Sequence, residues 1–298
     1  MGDDTNTPLP DAGETASVDA TVAGAADAAD TVTVAVVRLA NWSPDAPAID
    51  FCLAAHGTSV FRGPLLSNSA GEDSGADGGA ALPFPAVSAY LYLAPGHYDA
   101  RVVVAGAGDC AAGIGPDLTT LPALARGAFA TIALVGDAHA GSDAGLEMVG
   151  FSDDEQAAGD VALRFINAAP SVAGADMGTG TLATTFKPLF VDVAFAHAGG
   201  SANAPPDASA SIDSNGYAGV KALSLSTLSA HAFGATEDTA IAPDFSAASG
   251  SVLTLVLIGP DPAAPAPDAG EIPPPRLLEC VDNAGTIGLL GSCSVVSQ

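Results

Sequence analysis

The residues best equipped for chemistry in this chain fall into two spaced sets. Arg38, Asn41, Pro44 and Asp50 return, without a gap, as Arg164, Asn167, Pro170 and Asp176, and each pair keeps the same interval (164 − 38 = 126; 176 − 50 = 126). A guanidinium inside an apolar strand is costly unless paired. The shared spacing therefore predicts one ion pair per repeat, Arg38 with Asp50 and Arg164 with Asp176, as a charge-assisted hydrogen bond that fixes the turn between two strands. The second set is four cysteines, Cys52, Cys110, Cys280 and Cys293, none in a C-x-x-C pair. With no close ligand pair and five histidines scattered singly, no metal site is expected. An even number of cysteines points instead to disulfides and an oxidising compartment. Of three pairings, Cys52–Cys110 and Cys280–Cys293 place one bridge inside each repeat. The shorter loop contributes about 3 kcal/mol.

Other motifs carry less. There is no G-x-S-x-G elbow, and no histidine stands near a serine in a recognisable nucleophilic arrangement. GAGDCA and GTGTLA match a dinucleotide fingerprint by letters, but neither opens a helix in a βαβ unit. Asp213, Asn215 and Gly216 resemble part of a calcium loop that lacks its closing Glu. Acids are too abundant for any carboxylate pair to mark glycoside hydrolysis. No catalytic, cofactor-binding or metal residue is assigned. Trp42 has two readings, a plug at the end of a sandwich or an exposed platform for a sugar, and the plug is favoured.

The elements that must position these residues read as strands. From Thr31 onward, short β-branched runs are bounded by Gly, Pro, Asn and Asp, with no sustained helical period. Residues 32–40 form a first strand, SPDAP a turn, and Ile49, Phe51 and Leu53 the buried face of a second strand. VSAYLYL and YDARVVVAG read as a hairpin-like pair around APGH. GAFATIALV and LEMVGF follow, and the linker falls at Asp153–Asp160. In the second unit GSVLTLVLIG echoes GAFATIALVG, and RLLECVDN echoes LEMVGFSDD. Two polar loops, Gly63–Pro83 and Gly199–Gly216, occupy corresponding places, and a Pro-rich connection covers 260–275. The division expected is an acidic disordered tether at 1–30, domain 1 at 31–152 and domain 2 at 159–298.

Composition narrows the partners. Eight Lys and Arg face 34 Asp and Glu, a net charge of −26, which argues against nucleic acid and anionic membrane surfaces. Hydrophobic residues make up 48%, enough for two cores, but no apolar run approaches the ~18 residues that span a bilayer. The first thirty residues have neither the basic region nor the apolar region of a signal peptide.

VVRLANWSPDAPAIDFCL, then VSAYLYLAPGHYDARVVV and GAFATIALVG, resembles the bacterial domain-of-unknown-function family 4397. The matching features are Arg38, the turn Ser43–Pro47, Asp50, the spaced Tyr90, Gly96 and Tyr98, and the late strand Thr131–Val135; Asn41 stands where the family often has His. In the second unit only LRFINAAPS, Asp176 and VLTLVLIG match well. The resemblance implies two tandem immunoglobulin- or transthyretin-like antiparallel β-sandwiches, in a secreted or surface-anchored protein. It implies no established activity. A tether before an all-β body also resembles a mature bacterial lipoprotein, in which Met1 would replace a lipidated cysteine. The functional expectation is a non-enzymatic surface or secreted protein that binds a protein or glycan ligand. It would touch membrane only through an N-terminal lipid anchor. The alternatives are a self-associating subunit of a surface layer or fibre and an accessory sugar-binding module of a secreted hydrolase.

Overall fold

The computed structural model describes residues 34–68, 81–138, 145–153, 160–205, 211–259, 274–282 and 293–297. The N-terminal tether, the middle of both polar loops and most of the Pro-rich connection lie outside the described residues. The β-branched runs do become strands. In the N-terminal half these are β1 (Ala35–Asn41), β2 (Ile49–Ala55), β3 (Leu91–Leu93), β4 (Tyr98–Val104), β5 (Phe129–Val135) and β6 (Glu147–Asp153). One short helix, α1 (Leu65–Asn68), follows β2. The C-terminal half supplies β7 (Val161–Ala168), β8 (Gly174–Thr179), β9 (Lys187–Ala194), β10 (His197–Ala198) and β11 (Tyr217–Val220). It continues with β12 (Leu223–Ala232), β13 (Ala240–Ala247), β14 (Val252–Ile258), β15 (Arg276–Val281) and β16 (Cys293–Val295).

Each half is two sheets facing each other across an apolar core. The sheet β3-β1-β5-β6 packs on the pair β2-β4; in the other half β7-β14-β15-β16, with β10 and β11 on the free edge of β7, packs on β13-β12-β8-β9. Most pairings are antiparallel, as the sequence led us to expect. The central one in each half is parallel: β1 runs alongside β5 with Arg38 opposite Thr131, and β7 alongside β14 with Arg164 opposite Thr254. Gly127 and Gly250, both at positive φ, occupy the corresponding turns before β5 and β14, where a left-handed residue is needed.

Strand period 2 explains the layering. Along β1, Ala35, Val37 and Leu39 enter the N-terminal core with Phe51, Val102 and Ile132. Along β7, Val161, Leu163 and Phe165 enter the C-terminal core with Met177, Phe190 and Leu255. The alternate residues are buried too. Ala40, Trp42, Ala133 and Val135 from one half meet Ile166, Ala168, Val256, Ile258 and Leu278 from the other in a third apolar cluster. Sheets covered on both faces read as unbroken apolar runs, which is how VVRLAN and VLTLVLI look. Trp42 lies in this third layer, fully buried and 6.4 Å from the ring of Phe151, so it presents no platform to a sugar.

Two local expectations change. VSAYLYL and YDARVVV are not a hairpin: β3 pairs with β1 in one sheet and β4 pairs with β2 in the facing sheet. The APGH segment therefore carries the chain across the sandwich. The strand after LEMVGF also runs on to Asp153, a residue read from sequence as linker, and β7 starts at Val161. Both disulfides have the expected partners, Cys52–Cys110 and Cys280–Cys293, at S–S distances of 2.11 and 2.00 Å.

The repeated Asn and Asp hold turns and loops. Asn41 donates to the carbonyls of Pro47 and Leu82 and accepts from the Ser43 amide; Asn167 likewise donates to Val172 and Val193 and accepts from Ala169. Asp50 accepts from the amides of Phe51 (2.7 Å), Leu66 (2.9 Å) and Ser67 (2.9 Å), and from the Ser67 hydroxyl (2.7 Å). It thereby caps α1 and ties the start of the first polar loop to β2. Asp176 accepts from the Asp192 amide at 2.8 Å, also sixteen residues ahead, and its other oxygen lies 3.4 Å from His231 Nε2. Asp50→Ala leaves several buried donors without an acceptor. We expect a loss of about 2–3 kcal/mol in urea unfolding, against a smaller loss for Asp176→Ala, whose side chain accepts a single amide. Equal, negligible losses would show that the loop anchor is unimportant.

Candidate functional site

Neither predicted ion pair forms. Arg38 and Asp50 lie in facing sheets, and each alternates with core residues (Val37 and Leu39; Ile49 and Phe51), so the two side chains leave by opposite outer faces of the sandwich. Asp50 is spent on α1. Arg38 is on the parity of β1 that faces the other half, and Arg164 does the same from β7. Each guanidinium crosses the interface: Arg38 Nη2 donates to Asp282 Oδ1 at 2.5 Å, and Arg164 Nη2 donates to Asp153 Oδ1 at 2.5 Å.

Two threonines close the circuit. Arg38 Nε donates to Thr131 Oγ1 at 2.7 Å, and that hydroxyl donates to Asp153 Oδ2 at 2.7 Å. In the other half Arg164 Nε donates to Thr254 Oγ1 at 2.9 Å, and that hydroxyl donates to Asp282 Oδ2 at 2.5 Å. The sequence Arg38, Thr131, Asp153, Arg164, Thr254, Asp282 and back to Arg38 is a ring of six hydrogen-bonded groups. It carries two positive and two negative charges. Each threonine uses its one proton on a carboxylate and one lone pair on a guanidinium, which is within its donor and acceptor capacity.

Two tyrosines flank the ring. Tyr217 donates its hydroxyl to Asp282 Oδ2 at 2.7 Å, and Tyr90 points its own at Asp153 Oδ2 at 3.4 Å. The guanidinium of Arg38 lies 5.3 Å from the Tyr90 ring centre, and that of Arg164 lies 4.7 Å from Tyr217. Arg164 Nη1 also donates to the Ser152 carbonyl at 2.8 Å, whereas Arg38 Nη1 is buried without a hydrogen-bond partner. All four charged side chains are 0% exposed.

Burial alone would push the Asp153 carboxyl up. The guanidiniums of Arg38 and Arg164 and the Thr131 hydroxyl outweigh it and hold Asp153 below the usual carboxylate range. For the guanidiniums burial works the other way, yet the facing carboxylates win and Arg38 and Arg164 are raised further. The Tyr90 and Tyr217 phenols are pushed up, chiefly by burial, and stay neutral. Such an arrangement can lock two bodies in one orientation, since each charge would be left unpaired in any other docking. It offers no free nucleophile, base or acid to solvent.

Sequence reasoning placed Arg38 and Arg164 in this cluster's strands but missed their partners. The signal was present: the segments LEMVGFSDD and RLLECVDN repeat, and the repeat sets Asp153 on Asp282 (282 − 153 = 129). Thr131 and Thr254 are likewise lone polar residues in matching apolar strands (254 − 131 = 123).

The remaining candidates have structural work. Asp213 Oδ1 accepts from the amides of Asn215 and Tyr217, so it shapes the turn into β11. Among the described residues no group of three or more His, Cys, Asp or Glu is placed to hold a metal ion. No helix among them is long and apolar enough to cross a membrane.

With the architecture established, comparison adds the family. The family model of the domain of unknown function DUF4397 matches residues 35–177, so over that stretch the chain is similar to this family. The match runs through β6 into β7 and β8, so it contains Arg38, Thr131, Asp153 and Arg164, four of the six ring members. No curated protein matches the chain.

Two outcomes test the ring. Arg38→Met leaves Asp282 buried without its strongest partner and should cost about 3–5 kcal/mol of unfolding free energy, read by denaturant titration. The pH profile should have two limbs. Asp153, depressed in the folded state, contributes stability that is complete above its unfolded value of about 3.9 and drains away as pH falls through the folded value. The tyrosines, raised in the folded state, contribute stability that is complete below about 10 and is lost as pH rises past it. Stability should be level from about pH 5 to 9, with Tyr217→Phe softening the alkaline limb. A chain equally stable at pH 3 and pH 7 would contradict the assignment.

Proposed function

We propose that the chain is a non-enzymatic protein of the bacterial exterior, in which two β-sandwich domains are locked together to display loops and faces for binding or adhesion. The observation that carries this reading is where the reactive-looking residues go. Among the described residues, Arg38, Asp153, Arg164 and Asp282 are sealed between the halves and hydrogen-bonded across them. The two disulfides suit an oxidising, extracellular setting, and the acidic surface suits a solvated exterior. The tether and lipid anchor, and the immunoglobulin- or transthyretin-like class, belong to this reading through the family resemblance.

Assembly into a layer or fibre through sheet edges is less well supported. In the C-terminal half the outer strands of one sheet are interrupted: β9 contains Pro188 and the positive-φ Asp192, and β13 contains Pro243 and the positive-φ Asp244. Proline and local kinks are how edges are protected from pairing.

The binding reading is tested by applying the labelled full chain to a glycan array and to immobilised cell-envelope and matrix proteins, alongside a broad hydrolase screen. Saturable retention on at least one surface component, without turnover, is expected. Turnover of a glycan or peptide by the purified chain, with no retained ligand, would overturn it.

A further inference from the structure

Two of the histidines, scattered singly along the sequence, meet in the fold. His56 and His97 continue the β2–β4 ladder by one position past the Ala55–Tyr98 pair, and the His56 amide donates to the His97 carbonyl at 2.9 Å. Their rings stack with centres 3.8 Å apart and planes inclined by 18°. His56 Nδ1 meets Asp99 Oδ1 at 2.6 Å, and the other carboxylate oxygen accepts from the Gly57 amide at 3.0 Å. The Asp99 side chain is only 7% exposed, whereas that of His56 is 43% exposed. Asp99 is therefore a buried, doubly held carboxylate that fixes the ring orientation of an exposed imidazole. Nothing in the structural ring between the halves involves these residues.

We propose that His56 and His97 form a binding site for one borderline divalent transition-metal ion, with copper(II) held more tightly than zinc. Three features carry it. A metal-bound imidazole characteristically gives its other nitrogen to a carboxylate, and Asp99 does this for His56 Nδ1, directing the free Nε2 outward. Two imidazoles from directly opposed strand positions are held by a hydrogen-bonded ladder, so little ordering is left for binding. Two nitrogens that share a metal at the usual 2.0–2.1 Å sit about 3 Å apart, and the two ring centres, 3.8 Å apart, already put both imidazoles within reach of one ion. The rings must open from their stack to aim both lone pairs at one point. His97, exposed and with no side-chain hydrogen bond to any described residue, is the ring that turns. Water completes the coordination, because only two protein nitrogens are supplied. Imidazole donors select copper, nickel and zinc over calcium or magnesium, and the −26 net charge raises the local concentration of any cation.

The test is isothermal titration calorimetry of the full chain with copper(II) chloride and zinc chloride, with electron paramagnetic resonance of the copper form. One copper per chain is expected in the tightest class, with nitrogen couplings from two imidazoles. His56→Ala and His97→Ala, both at exposed positions, should each weaken that class at least tenfold, while His197→Ala leaves it unchanged. Asp99→Asn should weaken it by about tenfold or more; because Asp99 is buried, circular dichroism is recorded in parallel, and the two histidine variants carry the decision if this one fails to fold. Copper bound only by scattered carboxylates, with no nitrogen coupling, or a tight class that survives both histidine substitutions, would overturn the proposal.

Discussion

A charge removed from water must find its opposite, and in this chain each buried guanidinium finds it in the other half. Within its own sandwich each arginine donates to a threonine, Thr131 or Thr254, but the carboxylate it hydrogen-bonds belongs to the other half, and Asp50 and Asp176 are committed to anchoring loops. The carboxylates of Asp153 and Asp282 stand at the ends of β6 and β15, one per half, and are presented across the interface. The apolar layer of Trp42, Val135, Ile166, Val256 and Ile258 supplies the area that is removed from water, and the ring decides the orientation. A hydrophobic face alone would tolerate several dockings. A ring of four charges and two hydroxyls penalises any docking that separates its members.

The ring also accounts for the doubled architecture. Arg, Thr, Asp and Tyr occur once in each half at corresponding places, so the two sets are related by an approximate two-fold exchange, as in an isologous interface. The correspondence is incomplete: Arg164 reaches a carbonyl with its remaining nitrogen and Arg38 does not. Divergence between the halves is therefore felt at the periphery of the ring, while its six-member circuit is kept.

Much of this was legible in the sequence, and the part that was not has a physical reason. Strand identity followed from β-branched runs and turn residues, and the disulfide partners followed from keeping one bridge in each repeat. Pairing between strands was less visible. LYL and YDARVVV are adjacent in sequence and separated by a turn, yet the burial needs of two facing sheets send them to different layers. The Arg–Asp pairing failed because a constant interval shows only that two residues are repeated together. It does not show that they touch. The decisive clue was that β1 and β7 are apolar on both parities, which requires a covering layer on each face and hence a partner beyond the sandwich. His56 and His97, 41 positions apart, could be brought together only by the register of β2 on β4.

The account stands or falls on whether the ring joins the two halves energetically. A double-mutant cycle between Arg38→Met and Asp282→Asn, measured by denaturant unfolding of the full chain, addresses this most directly. The exposed pair Arg101–Asp117, hydrogen-bonded at 2.7 and 2.8 Å, serves as the reference for an ordinary surface contact. The account predicts a coupling above about 1.5 kcal/mol for the buried pair, against roughly 0.2–1 kcal/mol for the surface pair. A buried coupling no larger than the surface one would contradict it and would leave the apolar layer alone to hold the halves together.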